Sequence, residues 1–178
     1  MKFAVALLLA AAWLPAQAQN QWVLVKSSLT WHITHPVHTA QGTSQEARGK
    51  GVCNNGSCDF LIAVPLNTFK SGDTNRDLHM LEIVRGAQYP MVVVRTHMPQ
   101  SELSQPTIHA NLTIQFSGQT VQYKDVPFQR VQQGNDVEIK GTIPATCTDF
   151  KITPPEFLMM PIKNEIPVTV DLTWQPAG

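Results

Sequence analysis

The chain has 178 residues and 13 Lys and Arg against 13 Asp and Glu, so it is formally neutral at pH 7. That balance, with no basic run, argues against nucleic acid or an anionic membrane surface as the main partner. No internal repeat, acidic tail or low-complexity tract sets part of it aside.

The first segment reads as a leader. Met1-Lys2 is a basic start, residues 3–14 are an apolar run too short to span a bilayer, and Ala16-Gln17-Ala18 is a small-x-small cleavage site. Residues 1–18 are therefore expected to be a signal peptide, and residues 19–178 a single exported domain with one sizeable core. No cysteine follows the cleavage site to carry a bacterial-type lipid anchor, and no later stretch is long and apolar enough to cross a membrane.

From Trp22 the pattern has period two. Leu29, Trp31, Ile33 and His35 share one face, and Thr30, His32 and Thr34 the other. Residues 39–46 read as a polar loop. Cys53 and Cys58 flank Asn54-Asn55-Gly56-Ser57, which is turn chemistry. In an oxidising compartment the two cysteines can bridge across that hairpin. Cys147 is then left as a buried free thiol. Cys58, Phe60, Ile62, Val64 and Leu66 point one way along the next strand.

Residues 67–94 contain the one predicted helix. Thr74 is the expected cap, with Asp77 completing a box-like pair; Gly86 is the expected stop, and Pro90 forbids continuation. Leu78, Met80, Leu81, Ile83 and Val84 cover over half its circumference, so it must sit on something. Strands then resume. Ile108 to Phe116 alternate cleanly, Ser117-Gly118-Gln119 turns the chain, and a parity slip between Tyr123 and Val126 predicts a bulge near Lys124-Asp125. Val137, Ile139 and Ile143, then Ile166 to Trp174, complete the series. Residues 148–160 are a Pro-rich loop of unusual apolar content, with Phe150, Phe157 and Leu158.

Seven or eight strands, each with one apolar face, imply an antiparallel all-β domain, either a closed barrel or a two-sheet sandwich. The single apolar helix favours a barrel of about eight strands with the helix as its lid. The inward parity then nominates Trp31, Ile33, Phe60, Ile62, Phe69 and Leu78 as lining for an apolar ligand. Met80, Ile108, Leu112, Ile114, Ile139 and Phe150 extend that lining, and His35 would touch a polar head group.

Polar constellations are weaker. His32, His35 and His38 recur every third residue, but on a strand His35 faces away from His32, so a metal site needs a break at Pro36. His79 with Asp73, Arg76 and Asp77 is better read as helix capping and ion pairing than as acid–base machinery. There is no nucleophile elbow, zinc-protease motif, phosphate loop or Cys-x-x-Cys, so an enzyme is the least favoured class, and no catalytic residue or cofactor is expected.

Between Trp22 and Trp174 the order of local signatures resembles the YceI-like family of bacterial periplasmic polyisoprenoid-binding proteins. Trp31-His32-Ile33-Thr34-His35 is similar to its early strand. Thr74-Asn75-Arg76-Asp77-Leu78-His79 is similar to its helix start. Tyr89-Pro90, Leu112-Thr113-Ile114 and Thr148-Asp149-Phe150 fall where the family has related segments. The chain departs from that pattern at Ile83-Val84, Gln115-Phe116 and Lys151. The resemblance implies a lipocalin-like barrel that holds an isoprenoid lipid, a quinone tail or a polyprenyl chain, in the periplasm. The rival expectations are an interaction module with a self-filled core and a histidine-based metal binder. Sheet edges left open in an imperfect barrel would permit a homodimer.

Overall fold

The computed structural model describes residues 20–157 and 159–177. The expected leader, residues 1–18, lies outside the described residues, as does Leu158. The chain forms strands β1 (Asn20–His35), β2 (His38–Ser44), β3 (Arg48–Asn54) and β4 (Ser57–Pro65), then helix α1 (Thr74–Ile83). Strands β5 (Met91–Pro99), β6 (Thr107–Phe116), β7 (Gln119–Gln133) and β8 (Asp136–Ile143) follow. Two-residue strands β9 (Glu156–Phe157) and β10 (Met160–Pro161) precede the last, β11 (Val168–Ala177).

Eight strands close into an antiparallel barrel in the order β1, β3, β4, β5, β6, β7, β8, β11, with β11 pairing back onto β1 from Gln21–Ala177 to Trp31–Val168. The length of β1 makes the closure work. Its first residues pair with β3, and its second half, Leu29 to His35, pairs with β2 along the same edge. Residues 39–46, expected as a loop, are therefore mostly strand. Their polar side chains face solvent, while Gly42 and Ser44 are buried.

Turn chemistry sets the register. Asn55-Gly56 and Ser117-Gly118 both have positive φ at both positions (51° and 81°, 50° and 76°), the geometry that joins right-twisted strands in two-residue hairpins. The first hairpin sets Cys53 directly opposite Cys58, and the two form the expected disulfide with a Cα–Cα distance of 4.0 Å. The expected bulge is present. Ala110 pairs with Val126 and Leu112 with Tyr123, so Asn111 faces two residues, Lys124 and Asp125. The Asp125 backbone N–H donates to Asn111 Oδ1 at 3.0 Å. A second bulge at Val25 in β1 switches the inward parity from Trp22 and Leu24 to Ser27 and Leu29.

The helix ends differ from expectation. Asp73, not Thr74, is the N-cap and accepts from the Arg76 N–H at 3.1 Å. Asp77 instead accepts from the backbone N–H and hydroxyl of Ser71, at 2.9 and 2.6 Å, so it ties down the loop before the helix. At the other end Arg85, not Gly86, takes the left-handed conformation (φ 55°). Gly86 N–H donates to Leu81 O and Arg85 N–H to Glu82 O, the paired bonds that satisfy the last carbonyls of a helix.

Candidate ligand site

Strand direction sorts the connections between two ends of the barrel. One end carries the disulfide hairpin, the short helical turn of residues 100–104, and the β7–β8 turn. The other carries the β1–β2 turn, α1 with its flanking loops, the β6–β7 turn, and the long connection from β8 to β11.

The disulfide end is filled mainly by large side chains, although Trp22, Leu24 and Phe60, which also point inward there, are only half buried. Cys53, Cys58, Met98, Ile108, Phe128 and Trp174 all point inward there and are buried. Inward-facing glycines let rings lie flat on the wall. A Cβ on Gly51 would stand 2.3 Å from the Phe60 ring, and one on Gly49 2.7 Å from Trp174. The Phe60 and Trp174 rings then meet edge to face, with centroids 5.1 Å apart. Gly42 serves Trp31 in the same way nearer the helix end, at 2.5 Å.

The helix end is packed less completely. Trp31, Ile33, Ile62, Val92, Phe116 and Val168 face inward from the strand ends, yet are only half buried. Met80, Leu81 and Ile83 of α1, with Ile162 and Ile166 of the β8–β11 connection, arch over them in the same condition. Three buried polar side-chain atoms have no partner among the described residues: Trp31 Nε1 near the helix end, Thr96 Oγ1 at the level of Phe60, and Arg130 Nε towards the β7–β8 turn. An unpaired buried donor costs about 1–3 kcal/mol, so such atoms invite a ligand or water.

The lid is tied at both margins. Arg85 donates to the backbone carbonyl of Ser117 in the β6–β7 turn and lies 5.2 Å from the Tyr89 ring centroid. Tyr89 in turn packs where a Cβ on Gly118 would stand. Across the mouth, Lys163 N–H donates to Thr34 O at 2.8 Å. Phe150 is the deepest part of the cover, 1% exposed, with Phe116 and Tyr123 against it at 5.1 and 6.5 Å. Below it Tyr123 donates its hydroxyl to Asp149 at 2.7 Å, and Asp149 also accepts the Thr146 N–H. Burial pushes the Asp149 carboxyl up, but these hydrogen bonds outweigh it and hold the group below its ordinary range. The Tyr123 phenol is pushed well above its ordinary range by burial, then by the bond to Asp149.

The nominated lining residues divide into groups. Trp31, Ile33, Phe60, Ile62, Met80 and Ile139 face inward or pack on the core and keep some accessible surface. Phe69, Ile108, Leu112, Ile114 and Phe150 are fully buried and fill the interior. Leu78 is 61% exposed: α1 turns Met80 and Ile83 to the barrel, which puts Leu78 on the solvent side, so it cannot line an interior. His35 is buried (3% exposed). Its Nδ1 accepts from Val37 N–H, so Nε2 carries the proton and is set to donate to Met160 O at 3.2 Å. Both ring nitrogens are thereby engaged in holding the β1–β2 turn against β10. The turn at Pro36 also sets His38 opposite His35, with ring centroids 5.0 Å apart, while His32 bonds Thr169 on the outer face. Among the described residues no three His, Cys, Asp or Glu side chains are grouped as a metal site requires.

Val92, Thr96, Phe116 and Val168 also face inward; Phe116 and Val168 read in sequence as lying on the apolar faces of their strands but, like Val92 and Thr96, are not among the nominated lining. Their alternation was visible, but nothing in it marks which inward residues stay accessible. The inward glycines 49 and 51 are alternate residues of one strand, and that was a usable signal of rings laid on the wall.

An eight-stranded barrel closed on itself has an interior just wide enough to be filled by side chains or to hold one small ligand. The chain belongs to the YceI-like domain family, whose match runs over residues 22–174. Solved structures share the fold. A polyisoprenoid binding domain from Saccharophagus degradans, implicated in plant cell wall breakdown, superposes with a TM-score of 0.71 at 12% identity, over 88% of this chain and 98% of that one. BcnA of Burkholderia cenocepacia gives 0.67 at 13% identity over 83% and 95%. The YceI protein of Campylobacter jejuni gives 0.53 at 10% over 99% and 94%. No curated protein matches the chain. No helix among the described residues is long and apolar enough to cross a membrane.

Proposed function

We propose that this chain is a non-enzymatic carrier that holds an isoprenoid, such as a quinone tail or polyprenyl chain, in the helix end of its barrel. Residues 1–18 would direct it out of the cytoplasm, and its place of work would be the periplasm, where the disulfide forms. One observation carries the reading: half-buried apolar side chains face inward beneath α1 and the β8–β11 connection. Family membership and the polyisoprenoid binding domain with the same fold support it. The unpartnered Trp31 indole N–H offers one donor to a ligand's polar head.

The energetics are adequate. A five-carbon isoprene unit gains roughly 3–4 kcal/mol gross on leaving water, at about 0.8 per carbon group. Net gains near 0.3 kcal/mol per heavy atom leave about 1.5 per unit, so about five to six buried units give micromolar affinity without polar contacts, and the three units of farnesol give a Kd of about 0.5 mM. Farnesol titrated into the mature protein should change its tryptophan fluorescence, with a lost response in Ile62→Arg and in Trp31→Phe.

A second reading has its own support. Ile108, Leu112, Ile114 and Phe150 are buried to a few per cent, as in a core filled by its own side chains. That interaction module would leave fluorescence indifferent to farnesol at any concentration.

A further inference from the structure

The outside of the barrel carries a groove of about 610 Å³ over β3, β4, β5 and β6, within the usual size of small-molecule sites. Strand register shows how it is made. One row crosses the sheet as Lys50, Leu61, Arg95 and Thr113, and the next as Val52, Asp59, His97 and Asn111. All have the parity opposite to the core. Leu61 and Val52 are 43% and 39% exposed and make an apolar floor.

Charge separates this groove from ordinary sheet surface. Its one carboxylate, Asp59, is already engaged by His97 Nδ1 at 2.8 Å. Neither Lys50 nor Arg95 has a side-chain partner among the described residues. They flank Leu61 two strands apart, roughly 10 Å between backbones at the usual strand spacing, so two long cationic side chains can close on one anion from opposite sides. Arg48, next to Lys50 along β3, adds a third cation at the rim. A comparable groove on the far wall, about 390 Å³, lacks this property: its Lys140 is paired with Glu138 at 2.9 Å and Asp171 at 3.5 Å.

We propose that the β3–β6 groove is a second ligand site, separate from the barrel interior, that takes an anionic amphiphile. Lys50 and Arg95 hold its carboxylate or phosphate head, and Leu61 and Val52 carry the start of its apolar body. The site does not depend on what the interior holds.

The test is calorimetric titration of the mature protein with dodecyl phosphate below its micelle concentration. Inorganic phosphate and dodecyl maltoside supply the head and the chain alone. Dodecyl phosphate is expected to bind, with each control at least about 10-fold weaker, since charge-assisted contacts and apolar burial both contribute. The Lys50→Gln/Arg95→Gln double variant changes only exposed side chains, and it should weaken dodecyl phosphate about 10-fold. Raising salt should weaken the wild-type protein more than the variant. Binding should survive saturation of the protein with farnesol. Equal affinity of wild type and double variant, displacement by farnesol, or no binding to the wild type would each overturn the proposal.

Discussion

At the residue scale, glycines and aromatics on the inner wall are one device. A ring lies flat on a neighbouring strand only because that strand has no Cβ beneath it. Gly51→Ala would drive a methyl group into the Phe60 ring, 2.3 Å away. Such overpacking is expected to cost about 1–3 kcal/mol in urea unfolding, with partial recovery in a Phe60→Leu background. The Tyr123–Asp149 bond makes a second residue-scale prediction. The folded carboxyl is depressed, so its stabilisation is present above the ordinary carboxylate range, near pH 4, and is lost as pH falls through the folded value. Tyr123→Phe should cost about 0.5–1.5 kcal/mol at pH 7 and less at a pH low enough to protonate Asp149 in both proteins, where only a neutral hydrogen bond is left to lose. Unfolding curves at the two pH values decide it. Cys147 is buried, and that burial, then the Glu165 charge, push its thiol up. It should resist thiol reagents until the protein unfolds.

At the element scale, most of the fold was legible. Period-two runs gave the inner faces of β1, β4, β6, β7, β8 and β11, and Asn55-Gly56 placed the disulfide hairpin, because both signals are local. What escaped depended on partners. β2 is polar and glycine-containing, and it is a strand only because the second half of β1 has a free edge beside it. The helix was found but its face was not. Leu78 and Met80 look alike in sequence, and only the docking of α1 through Arg85 and Tyr89 decides which one is buried. Leu78→Lys should therefore leave stability within about 0.5 kcal/mol, whereas Asp73→Ala should cost about 1 kcal/mol through the lost cap. Removing the bridge with Cys53→Ser/Cys58→Ser opens a very short loop. Chain entropy assigns that about 2 kcal/mol, readable as a lower urea midpoint.

At the scale of the whole molecule, the two ends of the barrel do different work. The disulfide end is closed by packed rings and a covalent staple, so it fixes the shape. The helix end is roofed by α1 and the β8–β11 connection, held through a few hydrogen bonds, and it keeps apolar surface that its own side chains do not cover. Periodicity in the sequence pointed to a lined interior, but it could not distinguish Ile108, which fills, from Ile62, which stays accessible. That difference arises from strand stagger and from where the lid sits. Native mass spectrometry of a chain starting at Gln19, purified without detergent and then mixed with farnesol, reads occupancy of the helix end. One prenyl chain bound per protein is expected at about 0.5 mM farnesol, lost in Ile62→Arg and kept in Lys50→Gln/Arg95→Gln. A protein that stays empty, or an Ile62→Arg variant that folds and binds as well as wild type, would contradict it.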